Sequence, residues 1–170
     1  MILWKTIKPS KLRTEAMSNA ILKELRGITK DIKKDFARPV RTWKHKVKFV
    51  EEFQIYTASP SGLGRVEIFI GSDDAIWRYV EEGTRPHVIL PKNSPYLAFK
   101  GTYTAKTIPG VIDSRKGGGS GKTEFSQGVI HPGTQARHFS EAIAKLWRKR
   151  FTSRMEKAMR NAVKASGHAL

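Results

Sequence analysis

Residues 117–123 read GGGSGKT, and a glycine-rich run closed by Lys-Thr is the composition of a phosphate-binding loop. That loop has the form G-x-x-x-x-G-K-[ST], in which backbone N–H groups between the glycines wrap around a phosphate. Gly121-Lys122-Thr123 supplies the second half, but the first glycine belongs at position 116, which is Lys116. Counted from Gly117, the spacing falls one residue short. The flanks fail as well. Neither Pro109–Arg115 before the run nor Glu124–Gly128 after it carries the buried strand or the helix that the loop requires. The run therefore reads as a glycine-serine loop with basic flanks, Lys116 and Lys122, suited to touch protein or a DNA backbone.

Other chemistry is equally sparse. There are five histidines, but His131 and His138 stand seven apart, His87 lies in a separate turn, and no pair has the i, i+4 spacing of a zinc-binding helix. Without cysteine, thiolate metal sites and disulfides are excluded. Glu51-Glu52, Asp73-Asp74 and Glu81-Glu82 are sequence neighbours, so their carboxylates point apart and cannot share a proton. No nucleophile elbow or serine–histidine–acid set is present. The expectation is a chain with no catalytic residue, no metal and no cofactor.

Charge points to partners instead. The 170 residues carry 32 Lys and Arg against 15 acids, a net charge of +17. Residues 1–50 hold 14 basic and 4 acidic residues, residues 137–164 hold 9 and 2, and residues 51–136 hold 9 of each. Two basic ends around a neutral centre attract polyanions, either nucleic acid or an acidic protein surface. Arg148, Lys149 and Arg150 beside Trp147, with Arg154 one turn on, are candidate polyanion or subunit contacts, as are Lys116 and Lys122. No helix-turn-helix, zinc finger or RNA-recognition signature accompanies them, so nucleic-acid binding would be independent of sequence. No apolar run approaches the ~20 residues of a membrane span, and Ile2-Leu3-Trp4 is too short for a signal-peptide core.

The elements that must position these residues follow from hydrophobic period. Leu12, Met17, Ile21, Leu25, Ile28, Ile32 and Phe36 predict a helix over about 10–37, capped by Ser10 and stopped by Pro39, with Gly27 as a weak point. Alternation predicts strands over 43–50, 53–57 and 65–70, the first two parted by a Glu51-Glu52 turn, as an antiparallel meander. A loop is expected over 59–64. A short helix is expected over 73–82, opened by Ser72 or Asp73 and closed by Gly83. Strands are expected over 96–99 and 128–131, with a polar, flexible loop over about 100–127 between them. A second long helix over 138–165 has Phe139, Ile143, Leu146, Phe151, Met155, Met159 and Ala162 on its apolar side. The order gives a single α+β domain over 1–170 with a small, mainly antiparallel sheet.

Two segments together carry a resemblance. The first is Tyr79-Val80-Glu81-Glu82-Gly83-Thr84-Arg85-Pro86-His87, followed by Pro91-Lys92 and Leu97-Ala98-Phe99. The second is His131-Pro132-Gly133-Thr134, five residues before Phe139 at the start of the last helix. In order and spacing, over roughly residues 65–155, the chain resembles the neck, or tail-completion, family of long-tailed bacteriophages, which joins the DNA-filled head to the tail. The resemblance implies a structural virion protein assembled in the host cytoplasm as a six-fold or twelve-fold ring. Its implied partners are copies of itself, head-closure or connector proteins, tail terminator or tube proteins, and packaged DNA in the channel, with no membrane. The shared positions, Glu81, Gly83, Thr84, Pro86, His87, Pro91, Lys92, His131, Pro132, Gly133, Thr134 and Phe139, are turn-formers rather than reactive groups. The 100–127 stretch belongs to no shared motif. A sequence-independent nucleic-acid-binding module is the alternative reading.

Overall fold

The computed structural model describes residues 14–56 and 65–167 as an α+β fold. Helix α1 (Thr14–Ala37) and helix α3 (Phe139–Ala165) lie antiparallel. The direction is set by their contacts: Asp35 of α1 meets Trp147 of α3, while Glu24 and Asp31 meet Arg154 further along. Leu25 and Ile28 bury on α1, and the small Ala158 and Ala162 bury on α3, letting the two backbones approach. Gly27 does not interrupt α1. A Cβ there would stand 3.4 Å from the Arg154 guanidinium, an ordinary contact that does not itself require glycine. The proposed cap Ser10 and the 59–64 loop lie outside the described residues.

Between the helices sits an aromatic core. Helix α2 (Ala75–Glu82) drives Trp77 into it, in edge contact with Phe49 at 5.0 Å and stacked on Phe139 at 5.4 Å. Ile28, Phe36, Val40, Ile143 and Trp147 complete the cluster. Asp74, rather than Ser72 or Asp73, caps α2, its carboxylate accepting the Trp77 N–H at 2.9 Å, and Gly83 ends the helix at φ 80°. On α3, Phe151 and Met159, expected on the apolar side, are exposed, and Trp147 takes a core place instead.

Of the three strands expected in the meander, the second and third pair as expected and the first does not form. β1 (Val50–Tyr56) and β2 (Arg65–Gly71) form one antiparallel ladder, from Val50 opposite Gly71 to Tyr56 opposite Arg65. Residues 43–49 form no strand and bend at Lys44-His45, and Glu51-Glu52 lies inside β1 rather than in a turn. The alternation in that stretch was real at all positions but one. Trp43, Val47 and Phe49 pack against the core and the three lysines between them are exposed, while His45, which the alternation places with Trp43, is exposed and meets the Asp74 carboxylate. Facing a core requires only an extended backbone, whereas a strand also requires a neighbour to bond.

The remaining strands form a ribbon. β3 (His87–Ile89) pairs with β6 (Val129–His131), and β4 (Leu97–Thr104) with β5 (Gly118–Ser126), both antiparallel. Half of the stretch expected as a loop over 100–127 is thus β-structure, 100–104 and 118–126, with a loop kept over 105–117, and GGGSGKT enters β5 at its second glycine. Gly119 faces Tyr103 across the ladder, and Thr123 faces Lys100. A Cβ on Gly119 would come within 2.7 Å of the Lys100 Cβ, so the glycines permit the close pass of the two strands. Gly121 (φ 81°) sits opposite a break in register at Gly101. Its Cβ-less, low-propensity composition disguises this strand as a loop. The backbone here is an extended ladder, not a wrapped phosphate cradle.

Trp147 offers the test of this packing. Its buried indole N–H donates to the Asp35 carboxylate at 2.9 Å. Trp147→Phe leaves that oxygen of the buried carboxylate without its donor, Arg38 keeping the other at 3.4 Å, and should lower the unfolding free energy by about 1–3 kcal/mol in urea titration, with the m-value unchanged.

Candidate functional site

The two motif segments, some fifty residues apart in sequence, meet at one junction. Thr84 and Thr134 form an isolated antiparallel bridge: each backbone N–H donates to the other's carbonyl, at 2.9 and 3.1 Å. The Thr134 N–H is shared with the Thr84 hydroxyl at 2.9 Å. His87 and His131 face each other across the next rung, their rings 5.1 Å apart. The Gly133 N–H donates to His131 Nδ1 at 3.0 Å, and His87 Nδ1 donates to the Arg85 carbonyl at 2.9 Å. Both glycines are required by shape. Gly83 (φ 80°) would bring a Cβ to 2.6 Å from the Thr134 carbonyl, and Gly133 (φ 88°) would drive one into the Thr84 carbonyl.

Glu81 closes the junction. Its two carboxylate oxygens accept the backbone N–H groups of Phe139 and Ser140 at 2.7 and 2.8 Å, and its own carbonyl accepts from Arg137 and His138. The N-terminus of a helix leaves such donors without partners and carries partial positive charge. His138, at the cap position with φ 53°, makes no side-chain capping bond, so a residue from α2 supplies it. Pro86, Pro132, Pro91 and Lys92 are not bonded into the junction. The first two shape the turns beside it, and the last two lie between β3 and β4, Lys92 exposed.

The cationic candidates separate. Arg154 is not a free contact: it bonds Glu24 at 2.6 Å and Asp31 at 2.8 Å and so clamps α3 to α1. Burial works against its charge, but those two carboxylates raise its pKa. Trp147 is buried, so it offers no face for stacking a base; Arg150 and Arg154 lie against its ring at 6.0 and 5.8 Å. Arg148, Lys149, Arg150, Lys116 and Lys122 are exposed. Arg148, Lys149 and Arg150 follow one another on α3, the last two bordering the groove against Asp31 and Asp35 of α1, while Lys122 lies on β5 and Lys116 just before it.

Sequence period gave no sign of how the β4–β5 connection is anchored. Asp113 pairs with Arg38 and Arg41 at 3.6 and 3.5 Å, and Lys106 Nζ donates to the Thr42 carbonyl at 2.8 Å. Thr42 in turn donates to the Arg115 carbonyl at 3.1 Å, and the Gly110 N–H to the Arg137 carbonyl at 2.8 Å. The ribbon is therefore tied down at both ends, at Thr84–Thr134 and at residues 106–115. Between these anchors nearly every side chain of β4 and β5 is exposed.

Among the described residues, no three His, Asp or Glu side chains converge to hold a metal ion, and no helix is long and apolar enough to cross a membrane. No family model, curated protein or solved structure matches the chain.

Two measurements probe the junction and the helix clamp. Glu81→Ala should cost about 1–2 kcal/mol by removing the α3 cap. Gly133→Ala, which forces backbone apart, should lower the melting temperature further than Glu81→Ala. Asp31 is held below its ordinary value of 3.8 first by the hydrogen bond from Lys34, then by Arg154. A depressed carboxylate stabilises the fold above its unfolded pKa and loses that contribution as pH falls toward the folded one. Asp31→Asn should therefore show a shallower fall in melting temperature below about pH 4 than the unaltered chain.

Proposed function

We propose that the chain is a structural component of a bacteriophage neck, joining or completing the tail on the DNA-filled head as one subunit of an oligomeric ring. The observation that carries this reading is the junction. The residues that resemble the tail-completion family, Glu81, Gly83, Thr84, His87, His131, Gly133, Thr134 and Phe139, form one bonded unit rather than two unrelated turns. Such a unit sets the direction of α3 and the base of the ribbon, which suits a part whose work is shape. In this reading its partners are further copies of itself, head-closure or connector proteins on one side and tail terminator or tube proteins on the other. The exposed Arg148, Lys149 and Arg150 face an acidic neighbour or packaged DNA.

The second reading, sequence-independent nucleic-acid binding, draws on those same three exposed cations. The two readings separate by experiment. Replacing Arg148, Lys149 and Arg150 with glutamate is expected to lower the yield of joined, infectious particles at least tenfold while heads and tails accumulate separately; normal yield would sink the neck assignment of this face. In a gel-shift at physiological salt the free protein is expected to leave duplex DNA unshifted at micromolar concentration. A tight shift that weakens steeply with salt would favour the second reading.

A further inference from the structure

The neutral centre of the sequence is neutral only on average. Residues 51–82, which form most of β1, β2 and α2, hold seven acids against Arg65 and Arg78. Residues 83–136, which form the ribbon, hold seven basic residues against Asp113 and Glu124. The fold places these opposite charges on different elements, each with an open sheet face. In β1–β2 the face turned away from the core carries Val50, Glu52 and Phe69, with Glu52 and Phe69 directly paired and Phe69 63% exposed. In β4–β5, Ala98 pairs with Phe125 and Lys100 with Thr123, which puts an aromatic and a lysine on one face, Phe125 being 70% exposed. One face thus presents an exposed phenyl ring beside a carboxylate, and the other an exposed phenyl ring beside an ammonium.

Area argues that something covers them. The chain exposes 13368 Å² at a mass of 19.2 kDa, where a compact monomer of that mass exposes about 8,400 Å². Allowing full exposure to every residue outside the described ranges still leaves an excess on the order of 1,000 Å². A stable protein contact takes about 800 Å² from each partner, so the excess is of the size of one to two such patches per chain. Two-stranded ribbons are also marginal in water unless a partner covers an apolar face.

We propose that the Ala98/Lys100/Phe125 face of β4–β5 docks on the Val50/Glu52/Phe69 face of β1–β2 in a second copy of this chain. The contact is head-to-tail, because two different patches meet, and such contacts propagate until they close a ring. The inference rests on the ring reading above and adds the surface that builds it. Phe125→Asp spoils only the ribbon face and Phe69→Asp only the β1–β2 face. Both positions are exposed, and circular dichroism checks that each variant stays folded.

By sedimentation equilibrium, each variant alone is expected to associate at least tenfold more weakly than the unaltered chain. Their equimolar mixture is expected to stop at 1:1 dimers, the intact ribbon of one seated on the intact face of the other. Should either variant misfold, Lys100→Glu and Glu52→Lys give the same test: each alone loses assembly, and mixing restores it. Variants that assemble like the unaltered chain, or mixtures that restore nothing, overturn this interface while leaving the ring reading standing. An unaltered chain that stays monomeric at about 100 µM overturns both.

Discussion

One carboxylate positions most of what is distinctive in this molecule. Glu81, at the end of α2, accepts the first free N–H groups of α3 from 58 residues away. The cost of leaving those donors buried and unpaired makes the arrangement nearly obligatory once Phe139 is fully buried behind it. Because Trp77 on α2 stacks on Phe139, the same helix that caps α3 also fills the core at its base. The polar contact fixes direction and the aromatic contact fixes distance. The Thr84–Thr134 bridge then starts the ribbon from a defined point.

The helix pair is set by a second, chemically similar device. Arg154 spans to Glu24 and Asp31, and Trp147 reaches Asp35, so α1 and α3 are held in register by directional bonds over a core of Ile28, Ile143, Ala158 and Ala162. A basic protein has many arginines to present to solvent, yet this one is spent internally. Its charge therefore belongs to stability, and the electrostatic surface of α3 belongs to its exposed neighbours.

Folding distributes charge in a way a net total conceals. In the middle region Glu51, Glu52, Glu67, Glu81 and Glu82 lie on β1, β2 and α2, while Lys100 and Lys122 lie on the ribbon strands. Both β1–β2 and β4–β5 are thin antiparallel ladders, the first open on one face and the second exposed on both. A chain that leaves phenyl rings beside opposite charges on two such faces has the complementarity that protein contacts use for register and partner choice.

The long helices, the short helix ended by Gly83, the single β2 strand and the α+β class could be read from the sequence, since apolar spacing reports on one element at a time. Gly83-Thr84 and Pro132-Gly133 carry turn composition, so the two motif segments were visible as well. The pairing of β5 was not. Gly118–Thr123 has no side-chain alternation, and a strand built for close backbone approach is indistinguishable by composition from a flexible loop. Nor could sequence tell that residues 43–49, alternating at all positions but His45, have no strand beside them, or that Arg154 and Trp147 are turned inward. These outcomes depend on which backbone or carboxylate lies across a gap, a relation between distant residues. The sequence by itself determined the charges, the helical stripes and the turn glycines; only the tertiary structure decided which charges are neutralised, which strands pair, and that GGGSGKT is one edge of a ribbon.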